Sequence, residues 1–541
     1  MSTTTIYPAK RIITMNPNRP VVEAVAVRDG RILGAGSVKE LQTWGDFEVD
    51  DRFIDKFILP GFVEGHCHVS AGSLWRFAYV GSHSCTGPNG KIWSPVKCLE
   101  DLIVRIREAT PDKPTAYVGW GFNPASLTGF SCSRQDLDRV SLEYPVVVLH
   151  ASLHIASVNT KALEIAGYLR QGIDHEGIPL GPDGLPMGEL RGPDAMHRVT
   201  EFLGLNGLML SADEQGIRTF GQLCVRNGVT TAADLANPLD ADATNALLRI
   251  GNEEDYPVRI VSMLRLLNAS PEGVVRRAVE LRDLGSDQIR FGFIKLVLDG
   301  SLQGFTARLR WPGHYNGAPS GMWYTAPEQI TEILSRALEA GVGVHIHTNG
   351  DAATELALDC MQVALKKSPC LGHRFTIQHA QLATQAQFAR MRELGLCVNL
   401  FVNHIYHWGE FHRKETLGPE RAERMDACAS ALAERVPLAI HSDAPVTPLS
   451  PLFTAWCAVN RVTDTGRVLG EAQRISVHQA LSAITLGAAY TLNLDGECGS
   501  IESGKRADLA ILSEDPTEVE PMGLKDVGVV GTVQNGRVFL N

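Results

Sequence analysis

The chain has 541 residues, 44% of them apolar and 21% charged, with a mean hydropathy of −0.03. That balance belongs to a globular protein with a sizeable core and excludes disordered or collagen-like order. The 50 Lys and Arg against 61 Asp and Glu leave a net charge of −11, spread too thinly to offer a basic face to phosphate backbones, so nucleic acid is not an expected partner. No apolar run reaches the roughly 18 residues that span a bilayer, and Met1 to Lys10 lack the charged start and apolar stretch of a signal peptide; no membrane partner and a cytoplasmic location are expected. The 11 cysteines are odd in number, scattered and never in a C-x-x-C pair, which points to reduced, buried small hydrophobes rather than a disulfide framework or a thiolate zinc site.

In chain order, the first elements read as short strands joined by tight turns: β-rich runs at 21–27 and 32–36 flank Asp29-Gly30, a hairpin signal. The same grammar returns near the other end, at 508–512 and 529–533, with Asn535-Gly536 as the turn before Val538-Phe539-Leu540. A lone hairpin cannot bury both faces, so the two ends are expected to pair into one small β-sandwich, built from residues 1–58 and 491–541.

The middle, residues 59–490, alternates β-rich runs with helix-like segments, the pattern of a parallel sheet with crossover helices. Eight candidate strands fall at 62–68, 228–235, 258–265, 291–298, 342–347, 374–379, 396–401 and 437–442. Pro327 and Gly341 bracket a helix over 326–340 as start and stop residues should. The expected fold is therefore α/β, a (β/α)8 TIM barrel inserted into the β-sandwich formed by both chain ends. The gap between the first two strands, about 71–210, is too long for a simple crossover and reads as a large inserted subdomain. Because it leaves from the end of strand one, where barrel enzymes keep their active sites, it is read as shaping the substrate site. Its aromatic, glycine-rich run Tyr117 to Phe122 makes Trp120 a candidate substrate contact.

Within Gly61-Phe62-Val63-Glu64-Gly65-His66-Cys67-His68, two histidines two apart on a strand share a face and can grip one cation. Later strands each end in a further candidate donor: Lys295, His347, His379 and Asp443. Buried charge is costly without a metal or partner, so these donors at the carboxyl ends of strands point to one metal-dependent site.

The order H-x-H, Lys, His, His, Asp inside a split β-sandwich resembles the amidohydrolase superfamily of metal-dependent hydrolases. More narrowly it is similar to the branch that includes the N-substituted formamide deformylases. The branch-level words are Lys295 with Leu298-Asp299-Gly300-Ser301-Leu302, His347 with Gly350-Asp351, Gln378-His379-Ala380-Gln381, Leu417-Gly418-Pro419-Glu420-Arg421 and Ser442-Asp443-Ala444-Pro445-Val446, together with His154, Val158 to Leu163 and Asp183 to Gly188 in the insertion.

The resemblance implies one or two divalent metal ions, zinc first, with His66, His68 and Asp443 at the more buried ion, His347 and His379 at the second, and Lys295 bridging them as an N-carboxylated side chain. A carbamate there meets a chemical need, since a free ammonium would repel both cations. Asp443 is the expected proton acceptor for a metal-activated water; His154 and His404 are further candidate substrate contacts. The implied activity is hydrolysis of a carbon–nitrogen bond other than a peptide bond in a small amide, formamide or cyclic amide. A deaminase, lactonase or decarboxylase on the same residues, or a non-catalytic binding homologue, stands as the alternative. A homodimer is expected only by analogy with other such barrels.

Three features depart from the branch pattern. The run Asn399 to Gly409 is rich in histidine and aromatic residues where a Gln-Pro segment is usual, His441 stands where a small residue is expected, and Thr348-Asn349 replaces a small, apolar pair. His345, two residues before His347, reads as a deeper layer of the barrel interior.

Overall fold

The computed structural model describes residues 3–110, 115–124, 132–205, 211–265 and 269–541. The last residues assigned to the insertion, 206–210, lie outside the described residues. The chain forms two compact units, one comprising Met1–His68, Cys224–Asp443 and Leu449–Asn541, the other Val69–Leu223 with Ala444–Pro448.

The first unit contains the barrel. Its strands are β1 (Phe62–Cys67), β2 (Val229–Asn237), β3 (Arg259–Leu264), β4 (Ile289–Val297), β5 (Gly343–Thr348), β6 (Thr376–His379), β7 (Cys397–Leu400) and β8 (Leu438–Ile440), and each pairs in parallel with the next. At the carboxyl rim the Asp443 amide donates to the His66 carbonyl at 3.1 Å, bringing the end of β8 to the end of β1. All eight expected strands are present. Helices such as Ala241–Gly251, Pro271–Leu284, Pro327–Ala340 and Asp351–Lys367 fill the crossovers. The helix Pro327–Ala340 opens on its proline and stops at Gly341, whose φ of +62° suits a residue without Cβ. Val63, Ala233, Val261, Met263 and Ala439 fill the interior, packed with Ala488, Ala489 and Leu492. Alanines on the helix Leu486–Thr491 allow this close approach, and the barrel is a filled core rather than a pore.

The β-sandwich of the chain ends rests on one hydrogen-bonded eight-stranded sheet in the same unit. Phe57–Pro60 lies between Thr4–Ile13, to which it is parallel, and Leu509–Leu512, to which it is antiparallel. Ile12, Val25, Ile32, Ile58, Leu509 and Ile511 make its core, so residues from both ends bury one another. Both turn signals hold: Asp29 and Gly30 have φ of +52° and +73°, Asn535 and Gly536 +49° and +78°, the backbone of two-residue hairpin turns. The two turns also meet, since a Cβ on Gly30 would stand 2.9 Å from the Asn535 carbonyl oxygen.

The second unit carries a five-stranded sheet in the order Glu189–Arg191, Ile155–Val158, Val146–His150, Tyr117–Phe122, Ala78–Tyr79. One cluster of buried residues includes Trp120, Val147, Leu149, Val158 and Leu163, and a second Val80, Ile103, Ile106, Phe122 and Val148. Alternate residues of Val146–His150 thus enter different clusters, and the insertion has cores of its own. Among the described residues no helix is long and apolar enough to cross a membrane, and none of the cysteines forms a disulfide.

Candidate metal centre

The orientation of His66 follows from a chain of hydrogen bonds that begins at a backbone carbonyl. The Thr491 carbonyl, which can only accept, lies 3.1 Å from His345 Nε2, so that nitrogen carries the proton. Burial pushes the pKa of His345 down to about 3, leaving the ring neutral and Nδ1 an acceptor; Gln378 Nε2 donates to it at 2.6 Å. Gln378 Oε1 therefore faces His66 Nδ1 at 2.8 Å and accepts a hydrogen bond from its N–H. Burial, helped by Lys295, also holds the His66 pKa well below its ordinary value. The neutral ring thus keeps its free lone pair on Nε2, and the outer hydrogen bond fixes tautomer and ring together.

That nitrogen and His68 Nε2 each lie 3.3 Å from the same oxygen, Asp443 Oδ1, while Asp443 Oδ2 lies 3.9 Å from His379 Nδ1. His379 and Asp443 have φ of +66° and +54°, the left-handed region, which non-glycine residues occupy at a cost of about 1–3 kcal/mol each. Two side chains at the strand ends are thus aimed by an unfavourable backbone conformation. Glu64, buried between strands, accepts from the Ser442 amide (3.1 Å) and hydroxyl (2.9 Å), bracing β8 against β1 just before Asp443.

Lys295 is buried, with no hydrogen-bond partner for Nζ. Burial pushes its pKa down to about 7, opposed by the nearby Asp443. His347 stands beside His379, ring centroids 4.4 Å apart, with Nε2 3.3 Å from the Gly300 carbonyl oxygen. Asp299 accepts from the amides of Arg308, Asn349 and Gly350, each at 2.9 Å, tying the loop after β4 to the start of the helix Asp351–Lys367. Asn349 also donates from Nδ2 to the Gly300 carbonyl at 2.7 Å, which accounts for an amide side chain at that position.

The donor set fits a divalent transition ion. Imidazoles and one carboxylate are the ligands such ions favour, and two three-ligand groups occur among the described residues: His66, His68 and Asp443, and His66, His379 and His441. His379 Nδ1, both ring nitrogens of His441 and Asp443 Oδ1 are buried without a hydrogen-bond partner. An unpaired buried polar group costs about 1–3 kcal/mol, and a cation satisfies several lone pairs at once.

The pattern of the Amidohydrolase family matches residues 55–539. The chain belongs to the amidohydrolase family. It is 28% identical over 518 residues to the Arabidopsis thaliana protein LONG AFTER FAR-RED 3, covering 93% of this chain and 86% of that one. With the N-substituted formamide deformylase of Arthrobacter pascens it shares 24% identity over 542 residues, 97% and 96% of the two chains. The crystal structure of an uncharacterized metal-dependent hydrolase from Pyrococcus horikoshii OT3 superposes with a TM-score of 0.74 at 22% identity, covering 96% of this chain and 99% of that one.

His404 is buried, with its ring centroid 4.6 Å from that of Phe401, which in turn stacks on His441. Its Nδ1 lies 3.0 Å from His412 Nε2, and His412 Nδ1 lies 2.7 Å from Thr416 Oγ1, so this histidine-rich segment closes into a buried polar chain. Trp120 is 4% exposed in the core of the insertion, with its ring 5.0 Å from both Trp75 and Tyr79. His154 is exposed on that unit, just before Ile155–Val158. Sequence reasoning passed over Gln378 as a family word and His441 as a departure. The available signal for His441 was its place just after β8, two residues before Asp443.

Proposed function

We propose that the chain is a metal-dependent amidohydrolase that uses water to cleave a carbon–nitrogen bond other than a peptide bond in a small amide, formamide or cyclic amide, in the cytoplasm. The observation that carries this reading is the meeting of His66 Nε2 and His68 Nε2 at one oxygen of Asp443, 3.3 Å from each, at the carboxyl rim of the barrel. The similarity to an N-substituted formamide deformylase over nearly the whole chain supports the bond type.

His66, His68 and Asp443 would hold the first ion, zinc ahead of other metals, and His347 and His379 a second where two are bound. When bound, such an ion polarises a carbonyl and lowers the pKa of a water molecule toward neutrality. Asp443 accepts the proton released by the attacking water and returns it to the leaving nitrogen. The Lys295 amine, with its pKa near 7, is substantially unprotonated at neutral pH. It can take up carbon dioxide, forming an N–C bond and releasing a proton, and so exchange a cation-repelling ammonium for an anionic oxygen donor.

The test uses the full chain, metal analysis of chelator-free protein, and a panel of small amides, N-substituted formamides and cyclic amides followed by ammonia, formate and carbon dioxide release. Bound divalent metal with turnover that stops on chelation and returns with zinc is the expected result. Full activity in metal-free protein would overturn the mechanism, and turnover confined to lactones or carboxylic acids the bond type.

A further inference from the structure

We propose that His441 is itself a metal ligand, adding a third imidazole to those of His66 and His379. The inference rests on the metal-dependent reading above and goes beyond the ligand set expected from H-x-H, Lys, His, His, Asp.

His441 follows β8, and its amide still donates to the Leu400 carbonyl of β7 at 3.1 Å. The residue is fully buried, and neither ring nitrogen has a hydrogen-bond partner. A structural histidine in a core normally spends at least one nitrogen on a carbonyl or hydroxyl, as His345 does on Thr491. His441 instead lies among rings: Phe401 stacks on it at 4.8 Å and 24°, His66 at 4.6 Å and 18°, and His379 meets it at 5.0 Å and 66°. These contacts offer no hydrogen bond and leave its lone pair unused.

One nitrogen each of His66, His379 and His441 lie within 4.8 Å of one another. Zinc–imidazole bonds of about 2.0–2.1 Å place two nitrogens of one ion no more than about 4.2 Å apart, and lone pairs in near-parallel ring planes do not meet at one point, so His441 reaches a shared cation by turning its ring out of the stack on His66. The other group, His66, His68 and Asp443, shares His66 with this one. His66 Nδ1 is already bonded to Gln378, leaving one lone pair, on Nε2, and one lone pair serves one ion. His66 therefore serves one ion, and His441 joins it at the buried metal; with a single ion bound His379 turns to that metal as well, whereas with two bound His379 serves the second and His441 alone is added to His66, His68 and Asp443. A nitrogen-rich set of this kind favours zinc, cobalt or nickel over magnesium or manganese.

The experiment titrates the full-length protein, stripped of metal by chelation, with cobalt(II), and follows the visible ligand-field spectrum and competition against a chromophoric chelator. His441→Gln and His441→Phe are compared with the wild type, the second keeping a ring to stack on Phe401 in case the first folds poorly. The expected result is an altered cobalt spectrum and an affinity at least about 10-fold weaker in both variants, the scale on which even outer-shell partners act. Wild type that binds cobalt while both variants match it in spectrum and affinity overturns the His441 assignment alone. Wild type that binds no metal overturns the metal-dependent reading as well. A cobalt-loaded wild-type crystal structure gives a mutation-free answer: a His441 nitrogen within about 2.3 Å of the ion supports the assignment, and one beyond about 3 Å defeats it.

Discussion

Gln378 Oε1 lies 2.8 Å from His66 Nδ1, and through that contact a backbone carbonyl at Thr491 dictates which nitrogen of His66 is free. The relay has a measurable signature. Gln378→Leu leaves His66 without its acceptor, and metal affinity is expected to fall about 10–100-fold while the barrel stays folded. His345→Phe, which keeps the volume and removes the link to Thr491, should produce a smaller loss of the same kind. Chelator competition on the two variants checks this, and unchanged affinity in both would show that packing alone orients His66.

Lys295 provides a test of a modification that no residue pattern displays. Lys295→Ala should lose activity, and short carboxylic acids should restore part of it by placing an oxygen anion in the vacated space. Electron density three atoms beyond Nζ would support a carbamate, whereas a bare ammonium in the metal-loaded protein would defeat it.

Trp120 separates packing from recognition. With its ring buried against Trp75 and Tyr79, Trp120→Ala should cost about 3–5 kcal/mol in the unfolding of the insertion and leave metal affinity unchanged. Denaturant unfolding followed by tryptophan fluorescence, set beside KM for an active substrate, distinguishes the roles. A raised KM with undiminished stability would mark a substrate contact instead.

Arg259 and Asp508 form a fully buried ion pair at 2.7 Å that joins barrel strand β3 to the sheet of the chain ends. Asp508 also accepts from the Asn535 amide at 2.9 Å. Asp508→Ala strands the guanidinium without its partner and should destabilise the unit by about 3–5 kcal/mol. The urea midpoint should fall accordingly, whereas replacing both residues by apolar ones of similar volume should recover much of the loss.

The barrel was legible because buried parallel strands are short apolar runs with glycines and polar residues at their ends, and because each proposed ligand closes such a run. His66, His68 and Asp443 share a rim because their strands begin and end the barrel, a closure that strand count alone implies. The relay through Gln378 and His345 was not legible, since it depends on the lateral register of β5 with β6 and on a helix more than a hundred residues further along that brings Thr491 beneath them. Trp120 is ambiguous in the sequence for a related reason: aromatic and glycine residues in alternation suit a ligand-lined mouth and a tightly packed strand equally well. Burial separates the two, and burial is a property of the assembled sheet. His441 looked like an anomaly in a motif until its neighbours were known to be rings with no hydrogen bond to offer it.

The strand Phe57–Pro60 leads directly into β1 and is flanked by Thr4–Ile13 on one side and Leu509–Leu512 on the other. During synthesis its second neighbour does not exist until some 450 further residues have been added, a wait of roughly 20–90 s at about 5–20 residues per second. Until then its edge is open beside a finished N-terminal hairpin. A nascent chain held in that state is the form most exposed to pairing with another copy of itself, so slowing translation just before the codons for Leu509–Leu512 should raise aggregation.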